Sequence, residues 1–370
     1  MPDRRVDLAE AVARAWGEEG ILYAVVHGLE AYPWAIARDL DVVLHRRDAR
    51  RAITAAVAVG REHGFGTVLC RWSYFGLYQL VLIDPERSTA LPLDLLCTTD
   101  VWRAKWIRLL DATDLARLVA GDGWLGPFRV SHEGRFLKSC VRPLLCGDLS
   151  RFGPHLEWPL PVRVPKEVDE PLVRGLLGRE GLQALGAHSA AALAERGGDR
   201  GALQGRWVRR HPVQALRSVS AAIVGRALRR SLNGAACLFA HTSDSDAAFD
   251  AVKALALEAR AMFIDLRPCV MPCSRVDRVF QEVTAWRSPP VSEFIVTVVF
   301  APSRWSSQPL VVDAGLLPTA RVELPEQVSP EEVRRRLRKA MLALLATAYA
   351  PADSLGDSSE AGLVEVGVQW

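Results

Sequence analysis

Two aspartates, Asp39 and Asp41, stand two residues apart inside the apolar run "DLDVVLH", eleven and thirteen residues after Gly28. In a strand, residues i and i+2 point to the same face, so these carboxylates project together. Like charges held so close repel unless something offsets them. A divalent cation is one solution: Mg²⁺ takes oxygen ligands, commonly one or two carboxylates completed by substrate phosphates. Two cations on one phosphoryl group would stabilise both the attacking and leaving oxygens of an in-line displacement. Such chemistry needs a third carboxylate, and Asp94 in "LPLDLLC" is the best placed. It interrupts an apolar run able to pair beside the Asp39–Asp41 strand. The alternative is two solvated aspartates at a strand start, with no ligand at all.

The elements that must carry these residues follow from periodicity. Val6, Leu8, Ala9, Val12, Ala13 and Trp16 recur at helical spacing, and Gly17 or Gly20 ends that helix. "ILYAVVHG" reads as a buried strand ending in a turn at Gly28, and "DLDVVLH" as a second strand. "RDARRAITAAVAVGREHG" reads as a helix closed by Gly64. Three strand-like runs follow, "GTVLCRWSYF", "YQLVLID" and "ALPLDLLC", with "DPERSTA" as a hairpin loop between the last two. The first 100 residues are therefore expected to form a small α+β unit with a mixed or antiparallel sheet.

This arrangement resembles the nucleotidyltransferase superfamily that includes polymerase beta-like and aminoglycoside-modifying enzymes. The shared pattern is an apolar strand, a glycine turn, a gap of about ten residues, Asp-apolar-Asp, a helix, and a later apolar strand bearing one Asp. The resemblance spans residues 18–100. It implies that Asp39 and Asp41 hold Mg²⁺ (or Mn²⁺), and that Asp94 also contacts metal and helps deprotonate the attacking hydroxyl. It further implies that Gly28 lies in the turn approaching the triphosphate. The sequence departs from the family at Leu29, where a Ser hydroxyl usually contacts phosphate; Glu30 follows. Phosphate binding would then shift to backbone amides or to Arg38, which can equally be a solvated neighbour balancing the aspartates. His27 could meet a phosphate or be a hydrogen-bonded structural histidine. Lys105 could reach a nucleotide phosphate or be a surface lysine.

The rest of the chain divides by composition. Residues 111–232 read as a helical middle region, with a Pro-rich stretch at 152–170 and an Arg-rich one from Arg206 to Arg230. Those arginines do not share one helical face and only Trp207 interleaves them, so the stretch reads as a solvated linker rather than a nucleic-acid surface. From 233 to 350, strands ("ACLFAH", "AMFIDL", "EFIVTVVFA") alternate with helices, suggesting an α/β layer fold. The last helix should begin at Ser329 as N-cap, with Pro330 at its first position and Glu331 and Glu332 at the positive end of the dipole. Residues 351–370 form a tail. This region resembles the thymidylate-kinase-like P-loop kinases in its strand-loop-helix layout and its closing Pro-Glu-Glu-Val helix. A working P-loop needs glycines to wrap phosphates, then Lys and Ser/Thr. "FAHTSDSDAAFD" contains neither glycine nor lysine, and Asp244 and Asp246 would repel a triphosphate. The expectation is a degenerate kinase-like domain kept for homodimerisation, acceptor binding or partner docking.

Composition bounds the remaining classes. With 370 residues, 49% apolar and 24% charged, the chain suits two or three globular domains. The net charge of +3 gives no general case for nucleic acid. Its seven Cys include no CxxC pair, which argues for free thiols in a reducing compartment. The charged, helix-patterned N-terminus is not a signal peptide, and no stretch approaches the ~18 apolar residues of a membrane span. The expected protein is cytoplasmic, with no membrane partner, and acts on an NTP and an acceptor, a small molecule or sugar being favoured. The competing expectation is a non-catalytic interaction or scaffold protein built from retired nucleotidyltransferase and kinase domains.

Overall fold

The computed structural model describes residues 3–36, 38–73, 77–97, 103–104, 107–108, 116, 118–121, 123–131, 134–135, 209, 212–213, 216, 235–242, 245–270, 294–302, 319–324 and 329–349. The protein is α+β, with a mixed sheet, a parallel sheet and a two-stranded antiparallel ribbon (Arg103–Ala104 with Ile107–Arg108) among the described residues. In chain order the first elements are α1 (Arg4–Glu18), β1 (Tyr23–His27), β2 (Leu40–Leu44), a short 3₁₀ turn (Arg46–Asp48), α2 (Ala49–Glu62), β3 (Thr67–Ser73), β4 (Leu77–Asp84) and β5 (Thr89–Leu96). Short strands follow at β6 (Arg103–Ala104), β7 (Ile107–Arg108), β8 (Gly123–Leu125) and β9 (Phe128–Val130). The chain then forms β10 (Ala235–Thr242), α3 (Ser245–Ala261), β11 (Ile264–Val270), β12 (Phe294–Pro302), β13 (Thr319–Glu323) and α4 (Pro330–Ala348). None of the described helices is long and apolar enough to cross a membrane.

The mixed sheet has the order β3-β4-β5-β2-β1-β9-β8. Strand β2 runs antiparallel to β1 and parallel to β5, and β1 runs parallel to β9. Tertiary contacts divide the chain into two compact units. The first comprises residues 1–59, 74–78 and 93–226; the second comprises 60–73, 79–92 and 227–370.

In the first unit, the Asp3 side chain caps α1 by accepting from the Arg5 backbone N–H at 3.0 Å. The helix buries the expected face, from Val6 to Trp16. Trp16 donates its ring N–H to the Ala52 carbonyl at 2.8 Å, tying α1 to α2, and packs edge-on to Tyr23 of β1. All five residues of β2 are buried, as expected of a central strand covered on both faces.

The second unit holds a parallel sheet of order β11-β12-β10-β13. Its core joins Leu238 and Ala240 of β10 to Val252, Leu255 and Ala259 of α3 and to Leu337, Met341 and Leu345 of α4, with Leu69, Val81 and Ile83 in the same cluster. Apolar spacing alone puts those α4 residues on one stripe. Strand β13 was not anticipated: "TARVE" alternates polar and apolar residues as a half-buried strand does, but the run is only five residues long. Ser329 caps α4 as expected: its hydroxyl accepts from the Glu332 backbone N–H at 3.3 Å, and Pro330 occupies the first turn. Ser329→Ala should therefore cost about 1 kcal/mol in urea unfolding, the usual worth of an N-cap.

Among the described residues, four buried or partly buried acidic groups carry protons more tightly when folded. Burial pushes the Cys70 thiol up to about 12. Burial, then hydrogen bonding to Glu10, pushes the Tyr32 phenol up to about 12. Burial also raises Tyr23 and Tyr349. A raised pKa in the folded state means stability that is full below the unfolded-state value and lost as pH climbs toward the folded one. Unfolded Cys titrates at 9.0 and Tyr at 10.0. Urea midpoints should accordingly hold steady to about pH 8.5 and fall between roughly pH 9 and 12. In Cys70→Ala the onset should move up by about one unit, to where the tyrosines begin.

Candidate functional site

The site is built on three adjacent strands. Strand β1 ends at His27, and Gly28 then turns the chain with φ +102°, a conformation that favours glycine. Glycine is needed there for a second reason: a Cβ at position 28 would overlap the Asp39 carbonyl oxygen and lie 2.8 Å from Leu40 Cδ2. The turn and the start of the Asp-Leu-Asp segment are thus in backbone contact, although eleven residues separate them. The connection between them is anchored by Leu29 and Ile36, 0% and 1% exposed. Tyr32 adds an edge-on contact with Phe128 and a hydrogen bond to Glu10 at 2.9 Å.

Register then aligns the ionisable groups. His27 of β1 is paired with Asp41 of β2, after an irregularity between Val25 and His27. Asp41 is paired with Asp94 of the parallel strand β5. Directly paired residues share a sheet face, so His27, Asp41 and Asp94 form a row across β1-β2-β5. Asp41 is only 4% exposed, and its Oδ2 and the Oδ1 of Asp94 are buried atoms. The solvated alternative therefore does not describe Asp41. His27 lies between two carboxylates: its Nδ1 is 3.5 Å from Asp41 Oδ2, and its Nε2 is 3.5 Å from Glu30 Oε1. Glu30 Oε1 also accepts from the Gly28 backbone N–H at 3.1 Å, while Glu30 Oε2 is buried with no hydrogen-bond partner.

The remaining expected residues fall as follows. Asp39 is half-buried and sits one position before β2. Arg38 is exposed. Leu29 is a core residue, so the place after the glycine faces inward in this chain. Lys105 and Asp244 lie outside the described residues, as does most of the Arg-rich stretch. Glu30 was visible in the sequence only as the residue following Leu29. Its three-residue spacing from His27, across a glycine turn, was the available signal for their contact.

Mg²⁺ suits this donor set, which is oxygen-rich and carries paired carboxylates. Among the described residues no group of three or more His, Cys, Asp or Glu side chains is disposed to hold a metal ion. Two in-register carboxylates are nevertheless enough for a cation whose other ligands are substrate phosphates and water. The row His27–Asp41–Asp94, with Glu30 of the turn beside His27, thus brings three carboxylates and one imidazole close together. No family model, curated protein or solved structure matches the chain.

Proposed function

We propose that this chain is a Mg²⁺-dependent nucleotidyltransferase that moves an NMP group from an NTP to an acceptor hydroxyl and releases pyrophosphate. The observation that carries this reading is the in-register pair of a buried Asp41 and a half-buried Asp94, beside a glycine turn whose backbone abuts Asp39. Asp41 and Asp94 would hold the cation, which when bound offsets negative charge on the transferring phosphoryl group; Asp39, expected as a third ligand, does not join them in a metal-holding group of three. Asp94, the half-buried member of the pair, takes the proton of the acceptor hydroxyl. The exposed Arg38 would supply a cation for the outer oxygens of the triphosphate, whereas the Gly28 N–H, expected to approach it, already donates to Glu30. The test is direct. Purified protein with Mg²⁺ and each α-labelled NTP should transfer label to an acceptor pool of sugars and small hydroxyl compounds. Equal labelling by wild type and Asp41→Ala would sink the reading.

The parallel order β11-β12-β10-β13, with α3 leaving the end of β10, supports a kinase-like layout for the second unit. Asp246, where a working P-loop would have a glycine, and Ala247, where it would have the lysine, lie in α3. We assign no phosphate chemistry to it.

A non-catalytic scaffold is favoured by one observation: Leu29 is fully buried, so no side chain at that place can bind phosphate. Calorimetric titration with Mg²⁺-NTP separates the readings. Micromolar binding that Asp39→Asn abolishes favours the enzyme; no heat in wild type favours the scaffold.

A further inference from the structure

We propose that the second unit is a clamp on β3, β4 and β5: docking of α4 holds these strands, and with them the strand that carries Asp94. This role stands whether or not Asp94 meets a cation, and it needs no phosphate chemistry in the second unit. The need for a clamp is legible in β4. Its run "LVLI", Leu80 to Ile83, is apolar at every position, and alternate residues of a strand face opposite sides. Such a strand must be covered on both faces. Leu82 faces α2, where a Cβ on Gly60 would come within 3.3 Å of it. Val81 and Ile83 take the other face, in one buried cluster with Leu69 of β3 and Ala90 of β5. Leu255 of α3 and Leu337, Met341 and Leu345 of α4 complete that cluster. Residues 60–73 and 79–92 accordingly belong to the same compact unit as the chain after 227.

Polar contacts fix the docking at three further points. Arg338 of α4 donates to the Ser88 hydroxyl at 3.0 Å, in the turn between β4 and β5, where Ser88 holds φ +50°. The same guanidinium stands 3.6 Å from Glu258 of α3. At the end of α4, the Tyr349 carbonyl accepts from the Cys70 backbone N–H at 3.0 Å. Strand β3 ends the order of the mixed sheet, and this bond occupies an edge amide that would otherwise be open to another strand. Arg71 of β3 lies over the Phe294 ring at 4.7 Å, and Phe294 meets Tyr349 edge-on. Asp94 follows Ala90 by four residues on β5. The start of that strand is thus held by the second unit, and its end pairs with Asp41.

The test is amide hydrogen exchange on the full chain, read by mass spectrometry of fragments. Met341→Ala opens the shared core from the α4 side and should speed exchange in α4 at least about tenfold. The clamp predicts the same rise in β3, β4 and residues 89–92 of β5, with α1 and β9 staying within about twofold of wild type. Arg338→Ala spares the core and should speed exchange of residues 84–91 about fivefold, leaving β12 unchanged. It decides the matter if Met341→Ala does not fold. A rise in α4 with β3, β4 and β5 at wild-type rates overturns the clamp, because the second unit would then open independently. An equal rise in every fragment, α1 included, also overturns it, since the chain would then open as a whole. Wild-type rates at residues 84–91 in Arg338→Ala overturn it as well.

Discussion

Asp94→Asn should cut nucleotidyl transfer by about a thousandfold while leaving the protein at least as stable as wild type. The activity loss follows from the role assigned to this carboxylate. Losing a cation ligand and a proton acceptor together removes several kcal/mol of transition-state stabilisation, and about 4 kcal/mol corresponds to three orders of magnitude. The stability follows from the sheet. Paired strands lie about 4.8 Å apart, so in the absence of cation the Asp41 and Asp94 carboxylates face each other across one strand spacing. At an effective dielectric near 20, two unit charges at that range repel by about 3 kcal/mol. Asparagine keeps the shape and removes one charge. A structural aspartate would behave in the opposite way, with the melting temperature falling and activity following it. Single-turnover labelling and a thermal melt of the same preparation separate the two outcomes. Added Mg²⁺ should raise the melting temperature of wild type and not that of Asp94→Asn, since only a bound ligand shifts the folding equilibrium.

Gly28→Ala should be among the most damaging single-methyl additions in the chain, lowering unfolding free energy by roughly 3 kcal/mol or more. Two costs combine. The φ of +102° is strained for any L side chain, and the new Cβ would overlap the Asp39 carbonyl oxygen, a backbone atom that cannot swing aside. Relief requires the turn and the start of β2 to separate. That would displace Glu30 from the end of β1 and carry Asp39 with it. Urea unfolding measures the first effect, and Mn²⁺ titration of whatever remains folded measures the second. A variant with wild-type stability would mean the turn relaxes freely, and would remove the basis for treating Gly28 and Asp39 as one rigid corner.

Much of this molecule is written in local pattern. The α1 stripe, the extent of α2, the hairpin between β4 and β5 and the Ser329–Pro330 start of α4 all appear where spacing and capping chemistry put them. These features depend on neighbours within four residues, which a linear reading captures. Strand β13 was missed because its polar/apolar alternation runs for only five residues, too short to stand out from a loop. Its place beside β10 is a long-range matter.

The candidate site divides along the same line. The i, i+2 spacing put Asp39 and Asp41 toward one face, and the lone Asp in an apolar run marked Asp94. Spacing could not say whether those carboxylates were solvated. Burial of Asp41 depends on strands on both sides of β2, one of them arriving from fifty residues downstream. Nor could spacing reveal that Leu29 belongs to the core while Glu30 turns back onto His27, since one positive φ at Gly28 redirects every side chain after it. Residue types and periods therefore settled which chemistry was available. Register between distant strands, set by which apolar faces bury against which, settled which charges must share a face.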